Sequence, residues 1–405
     1  MSDTTMNAQS IKDSEMEYND YANEIILDQE DGELETSSKG EGDRIYPMQT
    51  IKVEKGFYTA YELKRKYDKK PSLVVLDSDF QRESVWKLQQ KRELIESILM
   101  GLPLPIFYFN EDKEGRLIVI DGRQRLTAIF SFLNNEFALD KLNILDEFNK
   151  KKFRDLDPVY QSKIEDYQIM AHVVQPMTPD RVKFDIFDRV NRAGTQLNKQ
   201  EIRNALYQGK STELLNKLSK SVEFNEATEN YFSKDARMKN RYLLLRFISF
   251  YLYHNKRLCK FNGAENIPYQ YSGDIDEMLG YTMDYLNNCS DEDIKQITDC
   301  TIIALEQISF YLGNNAFRLV DMAEDGTVKR YPININIFET LMYAMTLLPY
   351  KSIKIREKLN NRIQELKNDV NFRESLNNHR DSDNKMQYRF DRIIKIVGEF
   401  NDKEY

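Results

Sequence analysis

The stretch Leu117–Phe132, reading LIVIDGRQRLTAIFSF, constrains the fold more than any other part of the chain. Leu117–Ile120 is a short apolar, β-branched run, which predicts a buried strand. Asp121-Gly122 breaks it. From Arg123 onward Leu126, Ile129, Phe130 and Leu133 recur at helical spacing. The prediction is therefore a strand, a tight glycine turn, and a helix whose first turn carries Arg123, Gln124 and Arg125. A helix N-terminus presents backbone N–H groups and a partial positive charge, which suits phosphate. Two arginines there add fork-shaped, charge-assisted donors. Asp121, at the strand end, has three chemistries open to it: holding a metal, orienting a water, or binding a ribose or base. The competing reading is an ordinary strand–helix corner with solvated arginines, since Asp-Gly turns are common.

The elements around this stretch alternate. Ile45–Val53 reads as extended. Thr59 and Glu62 form a capping-box pattern for a helix through Tyr67, and Leu73–Leu76 reads as a short strand. Lys87–Met100 carries Leu88, Leu94, Ile95, Ile98 and Leu99 at helical spacing and is stopped by Gly101 and Pro103. Ile106–Phe109 and Leu117–Ile120 flank the polar turn Glu111–Gly115, so a hairpin is expected. Asn143–Lys163 is polar with irregularly spaced apolar residues. Ile169–Val174 is a strand. Thr178 and Pro179 open a helix through Val190, closed at Gly194, and Asn198 with Glu201 opens the next. This mixture predicts a small α+β sheet domain. Past Gly209 nearly every apolar pattern is helical, apart from a hairpin around Asp325-Gly326. The expected organisation is an acidic disordered tail over 1–44, a sheet domain over 45–208 and a helical domain over 209–405.

Charge sharpens that division. The chain carries a net −8, but residues 1–44 hold thirteen carboxylates against Lys12, Lys39 and Arg44, leaving the remainder near +2. An acidic tail on a near-neutral body neither announces nor excludes a local nucleic-acid groove. Arg237, Lys239, Arg241 and Arg246 sit at spacings that suit either a solvated helix face or an approach to nucleic acid. Three widely spaced cysteines, Cys259, Cys289 and Cys300, argue for a reducing cytoplasm and against a disulfide framework or zinc site. No apolar run approaches the roughly 18 residues that span a bilayer, and the acidic N-terminus has no apolar core of a signal peptide.

Three motifs, in order, carry a family resemblance. They are Ile120–Ile129 (IDGRQRLTAI); Asp79-Phe80-Gln81-Arg82 with Val85-Trp86 and Leu94–Leu99; and Ile186–Leu197 (IFDRVNRAGTQL) followed by Glu201-Ile202-Arg203-Asn204-Ala205. Together the chain resembles the ParB/sulfiredoxin-like domain at the N-terminus of Gmr-type (GmrSD) restriction enzymes, most strongly over Ile51–Leu206. The resemblance implies a nucleotide-binding regulatory or sensor protein of a restriction or anti-phage system. It leaves open whether the chain is an Mg²⁺-dependent nucleoside triphosphatase. In that reading Asp121 and Gln124 are catalytic and Asp121 is the metal ligand. Gln81, Arg82, Gly122, Arg123 and Arg125 hold the nucleotide, with Arg189, Asn191, Arg192 and Thr195 as a second wall. Without the resemblance, Arg82 is better read as pairing with a carboxylate such as Glu96, and Asn191 and Thr195 as satisfying backbone groups at a corner. Arg123 stands where the family usually has Gln, which favours either slow turnover or a stronger phosphate contact.

Other chemistries lack their residues. His172, His254 and His379 are isolated, each with a core or surface position as its default. Gmr-type relatives usually carry a His-Asn-His nuclease domain, which needs a clustered histidine base and metal ligands. The resemblance therefore does not extend to DNA cleavage by this chain. No G-x-x-x-x-G-K-[ST] is present, which excludes a P-loop, and no G-x-S-x-G suggests acyl transfer. The competing function is a non-catalytic DNA-binding or protein-interaction module on the same scaffold. A separate effector protein and a homodimer are the other expected partners.

Overall fold

Thr59 ends one strand and begins one helix. Its side chain accepts a hydrogen bond from the Glu62 N–H at 3.0 Å, so β1 (Val53–Thr59) runs directly into α1 (Ala60–Asp68). The reciprocal half of the expected capping box is replaced by an ion pair between Glu62 and Lys66, one turn on, at 2.8 Å. The computed structural model describes residues 52–76, 86–178, 180–191, 198–235, 237–262, 265–322, 328–376 and 383–401. The acidic segment 1–44 and the Asp79–Arg82 motif lie outside them. The chain divides into two compact units that meet in sequence between Leu206 and Tyr207.

The first unit is the α+β domain. After α1 come β2 (Val74–Val75), α2 (Leu88–Met100), β3 (Phe107–Glu111), β4 (Leu117–Asp121) and α3 (Arg123–Leu133). Two short 3₁₀ turns lead to α4 (Pro158–Glu165), then β5 (Gln168–Val174), α5 (Asp180–Asn191) and α6 (Lys199–Leu206). The five strands form one mixed sheet in the order β1-β5-β3-β4-β2. β1 pairs antiparallel with β5 and β3 antiparallel with β4, whereas β3–β5 and β2–β4 are parallel. Alternation along the strands gives two faces. Phe107, Phe109, Leu117, Val119, Ile169 and Ala171 pack beneath α1–α4. Ile118, Ile120 and Val174 on the other face pack against Phe187 of α5 and Ile202 and Ala205 of α6.

Local sequence explains most boundaries. Gly101 takes the left-handed conformation (φ 79°) that closes α2, its N–H bonded to the Ile98 carbonyl. Asn198 and Glu201 exchange side-chain and backbone hydrogen bonds at 2.8 and 2.6 Å, the reciprocal box that starts α6. The Thr178 hydroxyl, expected as a helix cap, is engaged with the backbone N–H and carbonyl of Lys52. Glu96, the carboxylate considered for Arg82, is buried and accepts backbone N–H bonds from Asn143, Ile144 and Leu145. It anchors the loop after α3. The segment 143–163, whose apolar residues are irregularly spaced, is mostly turn, with two short 3₁₀ turns, and is α-helical from Pro158.

The second unit is mostly helical. It runs α7 (Lys210–Ser219), α8 (Val222–Ala227), α9 (Lys239–His254), the hairpin β6 (Cys259–Asn262) and β7 (Glu265–Pro268), α10 (Ile275–Asn288) and α11 (Asp291–Tyr311). A second hairpin, β8 (Arg318–Met322) and β9 (Val328–Ile333), flanks the expected Asp325-Gly326 turn, which lies outside the described residues. α12 (Ile335–Met345), α13 (Ile353–Asn368), α14 (Val370–Ser375) and α15 (Asp383–Asn401) complete it. Every residue of α12 is buried, so this helix is the axis of the unit. The β6–β7 hairpin is absent from the sequence reading because its strands are four residues each and carry little periodicity. All three cysteines are free thiols, and burial pushes Cys289 and Cys300 upward in pKa.

His254 closes α9 within an aromatic cluster, its ring 4.4 Å from Phe390 and 4.8 Å from Tyr343. Burial lowers its pKa to about 4. The unfolded chain therefore binds the proton more tightly, and stability falls as pH drops from about 6.5 towards 4. The expected loss is on the order of 3 kcal/mol at the acid end. Urea unfolding across pH 7 to 4 checks this: His254→Phe should flatten that part of the profile.

Candidate functional site

The corner after β4 is built by an irregularity in the sheet. Phe109 pairs with Val119, but Tyr108 pairs with Asp121, so one residue of β4 is extra. Strict alternation would set Asp121 on the core face with Leu117 and Val119. The bulge sets it opposite Tyr108 instead, as bulges beside functional sites commonly re-aim one side chain. Gly122 then takes φ +97°, and a Cβ there would lie 2.2 Å from Cδ1 of Phe107. Only glycine meets both conditions, the left-handed backbone and the ring against it.

Arg123, Gln124 and Arg125 form the first turn of α3, and the first intrahelical bond runs from the Leu126 N–H to the Gly122 carbonyl at 2.9 Å. The amides before it have no acceptor inside the helix, and Gly122 supplies no side-chain cap. Arg125 reaches back. It pairs with Asp121 Oδ2 at 2.7 Å, donates to the Pro105 and Ile106 carbonyls, and lays its guanidinium 4.1 Å from the Phe107 ring centroid. Burial lowers the Arg125 pKa, and Asp121 offsets part of that effect. The same 102–106 loop is held from its other end by Tyr167, whose hydroxyl donates to the Leu102 carbonyl (2.7 Å) and accepts from the Leu104 N–H (3.0 Å). Asp121 keeps a partly exposed carboxylate. The Gln124 Oε1 is buried with no hydrogen-bond partner among the described residues.

The second expected wall is only partly described. Arg189 is exposed near the end of α5 and Asn191 is its last residue. Gln81, Arg82, Arg192 and Thr195 lie outside the described residues. The structure thus brings Asp121, Gly122, Arg123, Gln124 and Arg125 to one corner, and places Arg189 and Asn191 at the end of α5. It also shows residues not assigned to the site from sequence. Gln200, Glu201, Arg203 and Asn204 on α6 are all buried, an unusual concentration of polar groups in one short helix. Arg203 is 1% exposed, donates to Gln200 Oε1 at 3.4 Å and faces the Phe184 ring. The Glu201–Ala205 run itself carries no signal of this burial, since three polar residues in five suit an ordinary amphipathic surface helix.

No group of three or more potential metal ligands occurs among the described residues. Asp121 offers one carboxylate, which fits Mg²⁺ only in the manner of phosphate-bound magnesium, held by one or two carboxylates and the substrate's own oxygens.

Residues 61–208 match the family described as GmrSD restriction endonuclease, N-terminal domain. The likeness to that family lies in this segment. The match takes in the glycine corner, α2 and both halves of the α5–α6 region, and begins after β1, although β1 is paired with β5 along seven residues. No curated protein and no solved structure matches the chain. Among the described residues no helix is long and apolar enough to cross a membrane.

Proposed function

We propose that the GmrSD-like domain binds a nucleoside triphosphate at the N-terminus of α3 and serves as the nucleotide-responsive part of a restriction-type defence system. The observation that carries this reading is the corner itself. A glycine with left-handed backbone, its Cβ position filled by the Phe107 ring, opens α3 beside Asp121, and the amides of the first helical turn have no acceptor inside the helix. Such amides with the helix dipole form an anion site. Arg123 adds charge at the mouth. Arg125, already bonded to Asp121 and two carbonyls, acts chiefly as the strut that fixes Asp121 and the 102–106 loop.

Phosphoryl transfer depends on positioning and charge neutralisation more than on covalent chemistry. Mg²⁺ arriving with the triphosphate would supply that neutralisation, with Asp121 as its protein ligand or as the group that orients water. Gln124 sits one turn-position away with a buried, unpartnered oxygen, suited to accept a hydrogen bond from a water or a ligand amine. With Arg123 in the place of the usual Gln, binding with slow turnover is the expected behaviour.

The test is phosphate release from ATP, GTP, CTP and UTP with Mg²⁺, beside thermal-shift binding of the same nucleotides, for wild type, Asp121→Ala and Asp121→Asn. Asp121→Asn keeps a hydrogen bond to Arg125 and controls for loss of the strut. The expected result is a nucleotide-induced stabilisation in wild type, with turnover at least tenfold lower in both variants, about the worth of one charged group in phosphoryl transfer. Full affinity and full turnover in both variants would remove the site from this corner.

A further inference from the structure

Tyr108 is partly buried and packs against the cluster that Ile118, Ile120 and Val174 form with α5 and α6. The register identifies its neighbours on the same face. Lys55 of β1 pairs with His172 of β5, His172 with Tyr108 of β3, and Tyr108 with Asp121 of β4. These four make one row across the sheet, ending on the candidate phosphate corner. The neighbouring row holds Phe57 paired with Met170, and Ile106, which precedes Phe107, the partner of Ala171. Phe57 is 61% exposed, Met170 43% and Ile106 37%. Large apolar side chains exposed side by side on β1, on β5 and just before β3 are a patch rather than scattered surface residues.

The Tyr108 and His172 rings lie 5.3 Å apart at 41°, both partly exposed. Cross-strand packing alone explains a tilted aromatic pair. It does not explain why the adjoining Phe57, Met170 and Ile106 are exposed beside the partly buried pair. Two inter-strand spacings separate β4 from β5, about 10 Å, which is the distance between the phosphates and the base of an extended nucleotide. The five side chains Tyr108, His172, Phe57, Met170 and Ile106 are also far fewer than the roughly 20–30 residues a side of a stable protein interface. Aromatic side chains on an open sheet are sequence-tolerant platforms for bases, because every base has a π-face.

The geometry points to a base-stacking platform: Tyr108 and His172 carry the nucleobase of the nucleotide whose phosphates sit at the start of α3, with Phe57, Met170 and Ile106 as its apolar margin. This rests on the nucleotide-binding reading of the corner and adds where the base goes and how it is recognised. Recognition by stacking has a consequence: purines, with the larger π-surface, bind more tightly than pyrimidines, with no sharp discrimination within either class.

The experiment is calorimetric binding of non-hydrolysable analogues of ATP, GTP, CTP and UTP, and of inorganic tripolyphosphate, all with Mg²⁺. Wild type is compared with Tyr108→Ala, Tyr108→Phe and His172→Ala, each checked for folding by thermal melt. Tyr108→Ala should weaken the nucleotides about tenfold or more and leave tripolyphosphate unchanged. Tyr108→Phe should keep wild-type affinity, and His172→Ala supplies the same comparison if Tyr108→Ala does not fold. Nucleotide and tripolyphosphate affinities that are equal in wild type, or that fall together in the variants, would overturn the platform while leaving the phosphate corner standing. A wild type that binds neither would overturn the corner and the platform with it.

Discussion

Glu339→Ala is expected to cost the helical unit about 3–5 kcal/mol, enough to unfold much of it, since a whole domain is stable by only about 5–15 kcal/mol. Glu339 sits on the fully buried α12 and is itself inaccessible. Its two oxygens are shared by two buried guanidiniums, with Arg246 Nε at 2.6 Å and Arg389 Nη2 at 3.3 Å. Asn336, one turn earlier, accepts from both arginines at 3.2 and 3.4 Å, and Arg389 also donates to the Ser375 carbonyl at 2.7 Å. One carboxylate thus ties α9, α12 and α15 together with the end of α14. Removing it leaves two guanidiniums in a region closed to water, and that penalty exceeds the net value of the pairs themselves. Urea unfolding with an unchanged m-value would measure the loss. Glu339→Gln should cost less, because it keeps the shape and one acceptor. Replacing the three charges together, as Arg246→Met, Glu339→Leu and Arg389→Met, should be far milder than Glu339→Ala alone. If the triple replacement is worse than the single one, the network is a genuine stabiliser rather than a costly but matched set.

The same cluster shows what was not legible in the helical unit: its helices could be read from the sequence, but the burial of their charges could not. Arg241 and Arg246 recur at helical spacing, and such charges usually mark a solvated face. Both are in fact buried, Arg241 against Asn216 and Arg246 against a carboxylate 93 residues further on. Nothing within a window of α9 announces a partner so distant. Elements whose cause is local were readable. The Asn198–Glu201 box closes over three residues, and the β4–α3 corner announces itself by a switch of period from two to 3.6 across a glycine. At the corner, the residue types were legible but their engagement was not. Arg125 looked like a free phosphate donor, yet its partners Pro105 and Ile106 are 20 and 19 residues upstream. The re-aiming of Asp121 depends on the register with β3, and the row that joins it to Tyr108 and His172 depends on two further pairings. Three-dimensional neighbours made by sheet register leave no mark in a single sequence beyond alternation.

Gly122→Ala should be the most damaging single change in the sheet domain that leaves every charge in place. The left-handed backbone at φ +97° costs an alanine on the order of 1–2 kcal/mol. The added Cβ would also lie 2.2, 2.6 and 3.0 Å from Cδ1, Cε1 and Cγ of Phe107. Overpacking of that kind typically adds about 1–3 kcal/mol. The ring has little room to yield: Phe107 is 1% exposed, lies 6.3 Å from Phe109 and carries the Arg125 guanidinium on its face. The chain must therefore move instead, and the movable part is the start of α3, the turn whose amides are proposed to hold phosphate. Nucleotide-induced thermal stabilisation should vanish in Gly122→Ala, with an unfolding midpoint lowered by several degrees. The two effects are separable through the ring. Phe107→Leu in the Gly122→Ala background should recover part of the stability, because it relieves the contact, but not the binding, because the φ penalty and the displaced amides remain. A double-mutant cycle on thermal stability would then show a favourable coupling of at least 1 kcal/mol or so between the two positions. A cycle that is additive would mean the Phe107 contact is not what requires glycine here, and that the turn's backbone conformation alone sets the geometry of the corner.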